Sequence, residues 1–242
     1  MQSSEDRILD GRVILNQPLQ GYRAAIDPVL LTASVPVKPK DRALDLGCGV
    51  GAAMLCLVAR GNGVHVDGLE IQPELAQLAR QNIEANGFAD RVRVFDGDLL
   101  APPEFLVPGG YDHVFANPPY ITEDRGHPPS NACKCTAHVE GQAALKDWVQ
   151  TALKFCRHKG TVSFIYRADR LAEVLTALGR QAGAIEIIPL WPKADDPASR
   201  IIVRARKGLK TPLILTSGLV LHTADGNYSE AADRVLRGEA SL

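Results

Sequence analysis

Apolar positions along the chain come in short bursts separated by polar or glycine-rich breaks. Residues 43–46, Ala-Leu-Asp-Leu, form one such burst, which stops at Gly47, Gly49 and Gly51 and predicts a strand running into a glycine turn. Residues 52–60 contain good helix formers and predict a helix. The run 64–70 ends on Glu70 and reads as a second strand. Over 73–86, Leu75, Leu78, Ala79 and Ile83 recur at helical spacing, with Pro73 suited to a first turn and Gly87 placed as a C-terminal cap. Strand patterns return at 92–96, 111–116 and 161–166, and helical ones at about 141–157 and 169–181. Alternation at this spacing predicts parallel βαβ units in a three-layer α/β fold. Near the end the pattern changes. Residues 185–191 and 200–206 are strand candidates joined only by the turn-rich Pro192–Ala198, which predicts an antiparallel hairpin closing a mostly parallel sheet.

Two appendages flank this core. Residues 8–35 predict a β segment at Gly11–Leu15, a turn, and a helix starting near Asp27 and Pro28. Residues 212–238 predict a strand, a turn at Asp225-Gly226-Asn227 and a helix from Ser229. The expected layout is therefore a single domain over 1–242, with a core at 36–207 between an N-terminal segment, 1–35, and a C-terminal extension, 208–242. Residues 121–139 lack periodicity, and so long a loop in a compact domain points to function.

Composition narrows the class. Hydrophobic residues at 45% and charged residues at 23% suit a globular protein and argue against a disordered one. With 27 Lys+Arg against 28 Asp+Glu, the net charge is −1, so any nucleic acid must be met by a local basic patch. Apolar runs such as Pro28–Val37 fall short of the ~18 residues expected of a membrane span. The polar start, Met1 to Asp6, shows no secretory signal, and five irregularly spaced cysteines suit reduced thiols, so a cytoplasmic location is expected.

Candidate chemistry sits at the predicted strand ends. Asp45 precedes Gly47, Gly49 and Gly51 in a GxGxG pattern, which lets a ligand approach the backbone, and its carboxylate suits a positively charged group such as an ammonium. Glu70, 23 residues beyond Gly47, is placed to hold both hydroxyls of a ribose. Asp98, in Asp96-Gly97-Asp98, is placed to accept from an adenine amine. Asn117-Pro118-Pro119-Tyr120 is the sharpest signal. The Asn117 side-chain oxygen and the Pro118 carbonyl can both accept from a planar NH2 group, while Tyr120 stacks on its ring.

Taken in this order, DLGCGVG, Glu70, Asp98 and NPPY resemble a class I S-adenosylmethionine-dependent methyltransferase acting on amino groups. Gln20-Gly21-Tyr22-Arg23 with Asp27–Leu31, and the tail Pro212–Leu215, Leu221-His222 and Gly226–Tyr228, are similar to the bacterial tRNA(Val) adenine-N6 methyltransferases. The resemblance implies a Rossmann-like fold with a seven-stranded mostly parallel sheet whose last hairpin is reversed. It implies S-adenosyl-L-methionine as cofactor, held by Asp45, Gly47, Gly49, Glu70 and Asp98, with Tyr22, Arg23 and Asp27 in the N-terminal segment closing over its methionine end. It assigns Asn117, Pro118, Pro119 and Tyr120 to catalysis and RNA to the partner, with tRNA the expected substrate.

Other acceptors share this pocket chemistry. NPPY followed by Ile121 also resembles the enzymes that methylate a glutamine amide of release factors, although 35–40 residues ahead of the core are few for the helical domain those carry. Adenine or guanine amines of rRNA or DNA are further acceptors, and a non-catalytic nucleic-acid-binding module is disfavoured by the intact NPPY. No metal is expected from Cys133-Lys134-Cys135 and His138, a single CxC without a second pair, and Arg125 and Lys134 are read as substrate contacts. Arg200, Arg204 and Arg206, with Lys207 and Lys210, suggest a phosphate-binding strand face. Trp148 and Trp191 are read as packing residues.

Overall fold

The computed structural model describes residues 2–20, 23–61, 63–119 and 143–242. Tyr22, Tyr120 and the 121–139 stretch, with Arg125, Cys133, Lys134, Cys135 and His138, lie outside them. In chain order the elements are β1 (Ser3–Ile8), β2 (Val13–Pro18), α1 (Asp27–Ala33), β3 (Arg42–Leu46), α2 (Ala52–Ala59), β4 (His65–Glu70), α3 (Pro73–Ala85), β5 (Val92–Asp96) and β6 (Tyr111–Ala116). They continue as α4 (Leu145–Phe155), β7 (Cys156–Arg167), α5 (Leu171–Leu178), β8 (Ala182–Trp191), β9 (Arg200–Lys207), β10 (Ile214–Leu215), β11 (Leu219–Val220) and α6 (Glu230–Leu236).

The seven long core strands lie in the order β8-β9-β7-β6-β3-β4-β5, and the two-residue strands β10 and β11 both pair with β8. Only β9 is reversed: it is antiparallel to β7 and to β8, so β8 runs with the parallel strands. The expected reversed hairpin is thus one reversed strand inserted between β7 and the edge.

Alternation along each strand divides the core in two. Phe115 of β6 and Ile202 of β9 face a cluster built with α1, α2, α3 and α6. Their neighbours Val114, Ala116, Ile201 and Val203 face a second cluster built with α4 and α5. Helix α2 is apolar all round, and Ala52 to Val58 are buried without a break, as a helix with neighbours on every side requires. Each fully buried Leu in this layer contributes about 1.5–3 kcal/mol.

The N-terminal region departs from its expected outline. A hairpin of β1 and β2 replaces the single β segment, and it docks on α3 instead of joining the main sheet. Asn82 and Asn86, one turn apart on α3, act as a substitute strand. Asn82 accepts from the Asn16 amide at 2.8 Å and donates to the Asn16 carbonyl at 3.0 Å, while Asn86 does the same for Ile14 at 2.8 and 2.7 Å. Asn82 also donates to the Val50 carbonyl at 2.9 Å, tying the hairpin to the glycine loop.

Candidate active site

Register brings the motifs to one edge. Leu46 lies opposite Leu69 of β4 and opposite Ala116 of β6, so Gly47, Glu70 and Asn117 leave three adjacent strands at one level. Glu70 in turn lies opposite Asp96, which places Asp98 on the same edge. The glycine loop folds over the end of β4, where the Gly47 and Cys48 amides both donate to the Leu69 carbonyl at 2.8 and 3.1 Å.

The glycines divide their work. Gly49 has φ +55 and open space where a Cβ would stand, so a ligand can lie against its backbone. Gly47 has φ +64, and a Cβ there would collide with the indole of Trp148 on α4. Gly47 therefore admits a packing residue, a role its motif did not announce. Trp148 is buried as expected, and the half-buried Trp191 donates from Nε1 to the Ser217 carbonyl at 3.1 Å.

Two buried carboxylates define the electrostatics. Glu70 accepts from the Gly49 amide at 2.7 Å and from the Gln72 amide at 2.9 Å, so it shapes the glycine loop. Burial raises its pKa and these amides oppose the rise. Asp45 is only 3% exposed, and among the described residues its Oδ2 has no hydrogen-bond partner. Burial first, then the charge of Glu70, pushes its pKa well above the ordinary carboxylate value. A buried acceptor of this kind fits an incoming ammonium, which the methionine end of S-adenosylmethionine carries. Asp98 is half-buried, with Oδ1 taking the Leu100 amide at 2.8 Å. Pro118 is buried and Asn117 and Pro119 are half-buried at the mouth of β6.

The N-terminal residues separate. Asp27 opens α1 and pairs with Arg200, which begins the reversed β9 and so lies at this same edge. Arg23 turns instead to the hairpin, pairing with Asp6 and donating to Ser4 Oγ at 2.9 Å and the Pro18 carbonyl at 3.0 Å. Arg200 was missed as a partner of Asp27 because 173 residues separate them.

The basic strand face needs correction. Arg204 pairs with Glu186 and donates to the Ser34 carbonyl and to the Leu242 carbonyl. Arg206 donates to the Lys159 carbonyl at 2.9 and 3.2 Å. Because β9 is an interior strand covered on both faces, its arginines do not form one open phosphate-binding row.

A sequence model of the Methyltransferase small domain family matches residues 25–129. A tRNA1(Val) (adenine(37)-N6)-methyltransferase of Yersinia pseudotuberculosis serotype O:3 is 36% identical over 214 residues, covering 86% of this chain and 81% of that protein. One from Actinobacillus pleuropneumoniae serotype 7 is 30% identical over 211 residues, covering 85% and 84%. Among solved structures, a predicted O-methyltransferase of Agrobacterium tumefaciens superposes with a TM-score of 0.75 at 28% identity, covering 89% of this chain and 98% of that one. A tRNA methyltransferase of Aquifex aeolicus gives a TM-score of 0.57 at 17% identity, covering 81% and 73%, a likeness of fold. At 30–36% identity over some 85% of its length, the chain is a S-adenosylmethionine-dependent N-methyltransferase and belongs to the tRNA1(Val) (adenine(37)-N6)-methyltransferase family.

Proposed function

We propose that the chain methylates N6 of an adenine in tRNA, a reading carried by Asn117 and Pro118 leaving β6 level with the glycine loop of β3. The cofactor supplies a methyl group activated by its positive sulfur. The acceptor amine is a poor nucleophile because its lone pair is delocalised into the ring. Acceptance of its two N–H groups by Asn117 Oδ1 and the Pro118 carbonyl favours a pyramidal nitrogen with its lone pair free to attack. Tyr120 is assigned to stack on the adenine. Alignment supplies most of the acceleration and no strong base is needed, since the nitrogen becomes acidic once methylated.

On the cofactor side, Asp45 meets the ammonium, Glu70 the ribose hydroxyls and Asp98 the adenine amine, while Gly47 and Gly49 shape the loop. Within the 1–35 segment, Asp27, Arg23 and Tyr22 are assigned to the methionine end, and the hydrogen-bonding of Asp27 at the site edge makes it the best supported of the three. Among the described residues no helix is long and apolar enough to cross a membrane, and a tRNA substrate supports the reading of a cytoplasmic enzyme.

The test is transfer of labelled methyl from S-adenosylmethionine to total tRNA, total rRNA and a release factor in parallel. Label in tRNA, recovered as N6-methyladenosine after nuclease digestion, is the expected result. Label confined to the release factor glutamine or to rRNA would replace this reading.

A further inference from the structure

A cavity with a charged rim opens at the opposite edge of the sheet, where the parallel strands begin. Its volume is about 260 Å³, and its walls come from the segment before β3, the start of β6, the start of β7 and the end of β9. Along β6, His113 in this cavity and Asn117 at the active edge are four residues apart, roughly 13 Å at strand rise.

Four cations line it, Lys38, Arg157, Lys159 and Arg206, against two carboxylates, Asp41 and Asp112. Both carboxylates are already engaged. Asp112 pairs with Arg157 at 2.5 Å and accepts the Arg42 amide at 2.9 Å. Asp41 takes His113 Nε2 and the Lys38 amide, each at 2.8 Å. Among the described residues, the ammonium groups of Lys38 and Lys159 make no ion pair. The charge left over is positive.

The floor is polar and unsatisfied. Thr161 is 6% exposed, and among the described residues its hydroxyl makes no hydrogen bond. The neighbouring His113 ring, also 6% exposed, has a buried Nδ1 without a partner. The backbone is irregular here as well. The β6–β7 register shifts between Tyr111 and His113, and Lys159 sits at φ 61, a left-handed conformation that a lysine rarely adopts. That turn aims the Lys159 carbonyl at Arg206, fixing the guanidinium beside the cavity.

We infer that this cavity is a binding site for a phosphate group, with Lys38, Lys159 and Arg206 around it and the Thr161 hydroxyl beneath. A net positive rim above a hydroxyl that no group among the described residues occupies matches a tetrahedral phosphate anion rather than a carboxylate-seeking cation. The phosphate comes either from free anions or nucleotides in solution or from an RNA backbone, and only the second source rests on the tRNA reading.

The test uses the full chain and the double variant Lys38→Gln/Lys159→Gln, two exposed side chains whose loss leaves the fold intact by melting temperature. Inorganic phosphate is titrated against chloride at matched ionic strength while the amide resonances of Gly160 and Thr161 are followed. RNA binding is measured at several salt concentrations alongside. A saturable shift weakened at least fivefold in the variant, with an unchanged RNA salt slope, assigns the site to a free anion. A log–log slope reduced by about 0.7–0.9 per lost contact assigns it to the RNA backbone. No saturable shift together with identical slopes overturns the proposal, and leaves methyl transfer to adenine untouched.

Discussion

Asp45 and Asp67 lie on neighbouring strands, both buried in the same sheet, and have opposite surroundings. Asp67 of β4, 5% exposed, accepts from Arg42 at 3.2 Å, from Arg93 at 3.0 Å and from the Tyr111 hydroxyl at 2.8 Å. Asp45 of β3, 3% exposed, keeps one oxygen without a partner among the described residues. A buried carboxylate with three donors is part of the architecture. One that the fold leaves short of donors fits the ammonium proposed for it, because an incoming donor would offset its desolvation cost.

The largest effect expected at the active edge is on turnover. Asn117→Ala removes one of two acceptors for the substrate amine, and kcat should fall by about 10²–10³ while affinity for S-adenosylhomocysteine holds. Steady-state kinetics with calorimetry separates the two, and equal losses in both would assign Asn117 to cofactor binding. Glu70→Gln should weaken S-adenosylhomocysteine at least tenfold, since a charge-assisted hydrogen bond is worth about 1.5–3 kcal/mol. It also turns an amide donor toward the Gly49 or Gln72 N–H groups, so some of that loss will come from the loop itself.

The two aspartates provide the direct contrast. Asp67→Asn should lower stability by about 1–3 kcal/mol, chiefly through the buried Tyr111 hydroxyl, with cofactor affinity preserved. Asp45→Asn should leave stability unchanged or raised and weaken cofactor binding, and the reverse pattern would sink the comparison. The pH dependence follows in sign. In the ligand-free protein the Asp45 pKa is raised above its unfolded value near ~3.9, so its contribution to stability is full below that pH and is lost as pH rises through the folded value. A bound ammonium reverses this preference, so the rise in melting temperature given by S-adenosylhomocysteine should grow with pH over that window. In Asp45→Asn the growth should shrink to the part due to Glu70.

The smallest effect concerns β9. Arg204→Gln should cost stability through Glu186 and the Ser34 and Leu242 carbonyls, and leave the salt slope of RNA binding as it was. A flatter slope would return Arg204 to the RNA surface.

These residues also show where sequence was readable. Strands 92–96 and 111–116 were legible to the residue because each is a short stretch rich in strand formers that stops at glycine or asparagine. That Gly47, Glu70 and Asn117 meet at one edge was legible because a parallel sheet puts its strand ends on one side. β1, Ser-Ser-Glu-Asp-Arg-Ile, was not, since pairing with β2 rather than burial holds it. Asn82 and Asn86 look like ordinary polar helix positions until the hairpin they serve is in place. Arg204 was misread for the same reason. Alternation tells which residues share a face, but not that Glu186 of the neighbouring strand and the Ser34 and Leu242 carbonyls will cover it.

The level arrangement of Leu46, Leu69 and Ala116 has a consequence for how such enzymes diversify. The residues proposed for donor and acceptor leave the sheet side by side, yet from different strands. Substitution at the end of β6 can therefore change the proposed acceptor side while β3 and β4 keep Asp45, Gly49 and Glu70 where they are. One inherited donor platform can then serve many acceptors, each lineage rewriting only the half of the site that faces its own target.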